Sequence, residues 1–141
     1  MIELDYDKAV SDGLSLFSMS EPHSSYTVSD LQTYLILPIK YSTIRIYYRD
    51  STPVGLVTWC WLSEENSNLF LDGKYHPTEE DHDSTKRVGK DLWGMEFITP
   101  YGDARQVTRL IRILFVELYG PSDVHWRRFH DQTKKRKRKF K

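Results

Sequence analysis

The stretch from 43 to 62 constrains this chain more than any other. Residues 43–49 (TIRIYYR) and 54–62 (VGLVTWCWL) are dense in β-branched and aromatic types, with Asp50-Ser51-Thr52-Pro53 between them. Such side chains pack well on a pleated surface, whereas Asp, Ser and Pro interrupt a ladder and favour turns. Two runs joined by so short a link predict an antiparallel hairpin. Side chains alternate along a strand, so Trp59 and Trp61 share one face and Cys60 takes the other. The second run is apolar on both faces, and both must meet apolar partners. The hairpin therefore belongs to a sheet covered on two sides, in a layered fold.

The rest of the chain supplies the covering layers. Residues 3–17 carry Leu4, Val10, Leu14, Leu16 and Phe17 at a ragged helical period, with Gly13 weakening the interior. Ser29 is a candidate cap for a short helix over DLQTYLILPIK, which Pro38 should end or bend. Residues 63–91 are acidic and polar, and the run PTEEDHDSTK within them reads as a loop or a weakly capped helix. Residues 92–98 (LWGMEFI) predict a third strand. Asp103 can cap a helix over 104–118, whose Val107, Leu110, Ile111, Leu114, Phe115 and Leu118 form one apolar stripe. Gly120-Pro121 stops it, and residues 123–129 (DVHWRRF) predict a fourth strand. The order of helix, helix, strand, strand, loop, strand, helix, strand implies an α+β fold.

At 141 residues, the chain fits one domain that needs neither a disulfide nor a metal to fold. Cys60, the single cysteine, reads as a small buried hydrophobe. With no basic apolar leader and no long uncharged run, the expectation is a cytoplasmic protein without a transmembrane segment. The formal net charge of zero hides a split. Residues 1–125 carry −8 and residues 126–141 carry +8. The expected division is a body over 1–133 and a solvated, flexible basic tail over 134–141 (KKRKRKFK). Such a tail attracts nucleic acid, anionic lipid or an acidic protein, and cannot by itself choose among them.

Two isolated residues carry potential chemistry. Glu96 is a carboxylate inside the apolar third strand, where it must be exposed, paired or used. The simplest placement is outward, on the alternate face from Met95. His23 follows Ser20 in an S-x-x-H stretch, and a histidine can hold or release a proton near neutral pH. If the N-terminal loop folds over the third strand, Glu96 can orient His23, which can then act as a general base. His76, His82 and Asp83 match no zinc spacing and read as a loose surface cluster. Neither a phosphate-binding glycine motif nor a G-x-S-x-G elbow is present.

Three separated blocks, SLFSMSEPHSSYTVSDLQTYLILPI, YYRDSTPVGLVTWCWLSEENSNLFL and LWGMEFITPYGD, resemble the toxin-activating lysine acyltransferases. Those small bacterial enzymes move a fatty acyl group from acyl carrier protein to internal lysines of pore-forming RTX protoxins. The likeness covers roughly residues 12–118. It implies a fold related to the GCN5-type N-acetyltransferases, a GNAT-like mixed, mostly antiparallel sheet flanked by helices. Carried over by position, the family's essential histidine falls on His23, its partner carboxylate on Glu96 and a further site serine on Ser20. The family's carboxylate is usually aspartate, and the Asn-Trp-Pro common after its histidine is Ser25-Tyr26-Thr27 here.

The resemblance implies direct transfer from a phosphopantetheine thioester, with His23 as base and no bound cofactor. Splaying of the third and fourth strands beyond residue 98 would leave backbone N–H groups for the pantetheine or the oxyanion. An acyl-enzyme through His23 or Ser20 is the other route. Arg105, Arg109 and Arg112 are candidate docking residues for acidic acyl carrier protein, with the basic tail as an auxiliary. The implied partners are acyl carrier protein, an acceptor such as an RTX protoxin and, in a homodimer, a second copy. Competing expectations are a nucleic-acid-associated or scaffold protein on the same fold, and an acyltransferase using coenzyme A.

Overall fold

The structure, a computed structural model, describes residues 5–86, 88–127 and 135–141. It is an α+β fold built on a five-stranded sheet ordered β1-β2-β3-β4-β5. The strands are β1 (Ile44–Arg49), β2 (Thr52–Leu62), β3 (Asp91–Ile98), β4 (Ser122–Arg127) and β5 (Lys135–Phe140). β1 and β2 form the expected antiparallel hairpin, β2 pairs antiparallel with β3, and β4 with β5. β3 and β4 are parallel, joined by the long helix α6 (Ala104–Tyr119). A parallel pair needs such a crossover, since no tight turn can return the chain in the same direction. This mixed, mostly antiparallel sheet with flanking helices is GNAT-like in architecture. Leu4, residues 128–129 of the expected fourth strand and residue 134 lie outside the described residues.

The two covering layers match the two apolar faces of β2. On one face Val57, Trp59 and Trp61 pack with Leu92, Val124, Phe140 and the α6 residues Val107, Ile111 and Phe115. Trp59 meets Phe115 edge-on at a centroid distance of 4.9 Å, an arrangement favoured by the ring quadrupoles. On the other face, Leu56 and Ile98 pack under α1 (Tyr6–Ser18) and the helical segment that follows it. Cys60, Leu62 and Trp93 extend that face and pack against Phe70 of α4 (Glu64–Leu71). Burial raises the Cys60 thiol well above its ordinary range, which suits a packing role.

Several local expectations change. Leu118 is 52% exposed, because core contact along α6 follows the four-residue row Val107, Ile111, Phe115 and Tyr119. Tyr119 accepts a hydrogen bond from Trp59 Nε1 at 2.8 Å and takes the place expected of Leu118. Thr27, not Ser29, caps α2 (Val28–Leu31). Its hydroxyl accepts from Asp30 N while the Asp30 carboxylate accepts from Thr27 N, closing a capping box. The helix also runs through Pro38. A π-helical turn (Gln32–Ile36) precedes α3 (Leu37–Lys40), and that wider turn accommodates a ring that lacks an N–H and would crowd an α-turn. The acidic stretch after β2 contains α4 and the short α5 (Glu79–His82).

Residues 135–140, expected in the solvated tail, instead form β5. Phe140 is buried against Phe115, while Arg136, Lys137, Arg138 and Lys139 are exposed. The ladder to β4 satisfies this backbone, and cations along an outer strand deter pairing with other chains.

Just before β3, buried Gly89 lies against β2. A Cβ there would sit 2.4 Å from the Leu62 carbonyl carbon, and backbone cannot move aside as a side chain can. Gly89→Ala should therefore lower the unfolding free energy by about 1–3 kcal/mol, read by urea denaturation.

Candidate active site

The site begins with a turn whose spacing brings two polar side chains together. After α1, both His23 N and Ser24 N donate to Ser20 O at 2.9 Å, forming a single helical turn. Pro22 lies inside it, where a missing N–H costs nothing. Residues three apart share a face of such a turn. Ser20 Oγ thus reaches His23 Nδ1 at 2.5 Å. The imidazole is packed by Phe17 and Tyr26, at centroid distances of 5.3 and 5.1 Å, and its side chain is 12% exposed.

The carboxylate arrives through an irregularity in β3. Trp59 pairs with Gly94 and Thr58 with Glu96, so Met95 has no partner across the ladder. Strict alternation would place Glu96 on the same face as Gly94 and Leu92, under α6. The extra residue resets the period and turns Glu96 to the face of Trp93 and Ile98. Met95 packs on that face as well, beside Trp93 and Cys60. The outward placement opposite Met95 is therefore overturned: Glu96 is buried. Its backbone N–H donates to buried Thr58 Oγ1 at 3.1 Å, supplying an acceptor where the ladder is interrupted.

Both carboxylate oxygens are engaged. Oε2 pairs with His23 Nε2, and Oε1 accepts from the Tyr26 hydroxyl at 2.8 Å. In the tautomer that carries its proton on Nε2, His23 donates to the Glu96 carboxylate and presents the Nδ1 lone pair to the Ser20 hydroxyl. The chain Ser20–His23–Glu96–Tyr26 is a continuous hydrogen-bonded relay. Burial, aided by the Glu96 charge, pushes the Tyr26 hydroxyl far above the usual tyrosine range, so it remains a donor. Burial pushes the neighbouring Tyr34 up to about 12, and Tyr34 is hydrogen-bonded to His76 Nδ1 at 2.7 Å.

The structure thus brings Ser20, His23 and Glu96 together. It does not bring Arg105, Arg109 and Arg112 to them. Those arginines lie on α6, across the sheet, and line a surface groove with Ala104, Ile113, Val116, Glu117 and Lys141. Among the described residues, the β3–β4 ladder covers Leu92↔Val124 and Trp93↔His125.

Sequence reasoning missed Tyr26, Thr58 and Arg127. Tyr26 was visible only as a departure from a family motif, and Thr58 only as a polar residue in an apolar strand. Arg127, at the end of β4, lies over the Phe70 ring at 4.1 Å, and its charge acts on Tyr26 and Tyr34. The expected surface cluster of His76, His82 and Asp83 also changes. His82 is buried with Nδ1 2.7 Å from Thr43 Oγ1, because α5 packs against β2. Among the described residues, no group of three or more His, Cys, Asp and Glu is placed to hold a metal ion.

A buried histidine–carboxylate pair thus sits on the sheet face opposite α6. The family model that matches residues 4–141 is the RTX toxin acyltransferase family, and the chain belongs to it. It is also similar to the protein-lysine myristoyltransferase RtxC of Kingella kingae, with 27% identity over 100 residues. That alignment spans 71% of this chain and 58% of the relative. No described helix is long and apolar enough to cross a membrane.

Burial lowers the His82 pKa from 6.5 to about 4. Above pH 6.5 the imidazole is neutral in both states. As pH falls from there to about 4, the unfolded chain takes up a proton that the folded chain refuses. Denaturation across this window should show a loss of about 3 kcal/mol from this group, levelling off below it, and His82→Gln should flatten the slope.

Proposed function

We propose that the chain is a protein-lysine acyltransferase that moves a fatty acyl group from acyl carrier protein to the ε-amine of internal lysines of an RTX-type protoxin. The observation that carries this reading is the hydrogen-bonded Ser20–His23–Glu96 relay, with Glu96 buried in β3. Family membership and the lysine myristoyltransferase relative supply the reaction class.

The incoming lysine must lose a proton before it can attack a thioester. His23 Nδ1 holds the available lone pair, and Ser20 Oγ, 2.5 Å away, relays the proton to it from the ammonium group. Glu96 stabilises the imidazolium formed. The neutral amine attacks the thioester carbonyl, a C–N bond forms, the C–S bond breaks, and the pantetheine thiolate leaves. The imidazolium of His23 returns its proton through Ser20 to the leaving thiolate and becomes neutral, and the amide nitrogen sheds its extra proton to solvent. Backbone N–H groups of β3 and β4 beyond the Trp93↔His125 pair are candidates to hold the pantetheine arm or the developing oxyanion.

Carrier protein is acidic, and Arg105, Arg109, Arg112 and Lys141 rim a partly apolar groove on α6. In this reading the carrier docks there and its arm threads between β3 and β4 to the histidine side of the sheet. The exposed cations of β5 add long-range steering.

Mixing the chain with fatty-acyl carrier protein and a protoxin fragment should yield a lysine amide detectable by mass spectrometry. His23→Ala should lower kcat by roughly 10²–10⁴-fold, the range spanned by loss of a general base. Undiminished transfer by that variant would sink the mechanism, and acceptance of acyl-coenzyme A in preference to the carrier would sink the donor assignment. Charge reversal at Arg105, Arg109 and Arg112 should raise KM for the carrier and weaken its salt dependence, leaving kcat near wild type.

The short Ser20–His23 contact favours a second route, in which Ser20 Oγ attacks the thioester and passes the acyl group to lysine from a serine ester. Incubation with donor alone followed by intact-mass measurement separates the two. Direct transfer leaves the mass unchanged, whereas the serine route adds one acyl group that Ser20→Ala abolishes.

A further inference from the structure

We propose that Tyr26 is a positioning residue of this site: its phenol holds one oxygen of Glu96 so that the other meets His23 Nε2, which keeps Nδ1 turned to Ser20. The inference deepens the acyltransferase reading and rests on it for its catalytic consequence.

The argument starts from the glutamate's freedom. A glutamate carboxylate can sweep through several rotamers, and one orientation must be selected for a fixed contact with an imidazole. The Glu96 backbone is anchored by the Thr58 hydroxyl, but that contact leaves the side-chain torsions undetermined. His23 constrains Oε2 alone. Tyr26, donating to Oε1 at 2.8 Å, is the second point that defines the carboxylate plane.

Tyr26 is itself fixed. Its backbone N–H donates to His23 O at 3.1 Å. Its ring meets Phe17 edge-on at 5.7 Å and tilts against Tyr34 at 5.8 Å. Rings on two sides and a backbone tether leave the hydroxyl one direction in which to point. A phenol with a strongly raised pKa keeps its proton across the working pH range, so this hydrogen bond is maintained. Without it, Oε1 would be a buried acceptor lacking this donor, and the carboxylate would rotate to recover one.

Tyr26→Phe removes the hydroxyl and keeps the ring. In the ligand-free full-length protein, proton NMR should show a downfield imidazole N–H resonance for His23 that Glu96→Gln removes. Tyr26→Phe should shift or broaden it while the amide spectrum stays folded. In the acyl-transfer assay, Tyr26→Phe should lower kcat about tenfold with KM unchanged, a loss on the scale of one charge-assisted hydrogen bond. The same change made in a Glu96→Gln background should cost nothing further, because Tyr26 acts through the carboxylate.

An unmoved imidazole resonance in Tyr26→Phe, or equal losses in both backgrounds, would overturn the proposal. If the wild type transfers no acyl group from any donor, the acyltransferase reading fails. The resonance then decides the positioning role alone, a shift in Tyr26→Phe supporting it and an unchanged signal rejecting it.

Discussion

Across from Thr58 and Trp59, β3 spends one more residue than β2, and the rest of the site depends on that excess. Met95 occupies the extra position and Glu96 comes to the face that the N-terminal segment covers. A strand side chain has two choices of face, and one inserted residue exchanges them. On the α6 side, Glu96 would lie among Val107, Ile111 and Phe115, an apolar layer unsuited to a carboxylate. On the other side it meets an imidazole, a phenol and a threonine hydroxyl.

Burying this carboxylate is tolerable because its oxygens and its backbone N–H all have partners. A half-satisfied buried polar network costs more than an apolar core, so the relay has to be assembled whole. Its members come from distant parts of the chain: the turn at 20–26, the middle of β2 and the end of β3. Cys60, a few residues from Thr58 on the same strand face, has no part in the relay, and the desolvation that raises its thiol pKa suppresses its reactivity. Burial therefore has opposite consequences along one strand, set by whether a hydrogen-bonding partner is present.

The two sides of the sheet divide the work. The α6 side holds the larger aromatic core, with Trp59, Trp61, Phe115 and Phe140, and carries its cations on the outer surface. The opposite side holds the polar relay, beneath α1 and the helical segment that follows it. Among the described residues, the parallel strands β3 and β4 pair at Leu92↔Val124 and Trp93↔His125, short of the bulge at Met95.

The hairpin, the α6 stripe and the α+β class were legible in the sequence because they rest on local periodicity, and the three quoted blocks carried the family resemblance. Ser20 and His23 were legible as neighbours because a three-residue spacing in a turn brings them together. The face taken by Glu96 was not, since a bulge depends on how two strands align and no residue in LWGMEFI marks it. Pro38 within a helix, the burial of His82 and the pairing of a run of cations as β5 were hidden for the same reason. Short-range propensity determined most of the elements, and the family resemblance singled out Ser20, His23 and Glu96. Only tertiary pairing decided which side of the sheet they share, because a side chain's direction is set by the register of its neighbours across the ladder.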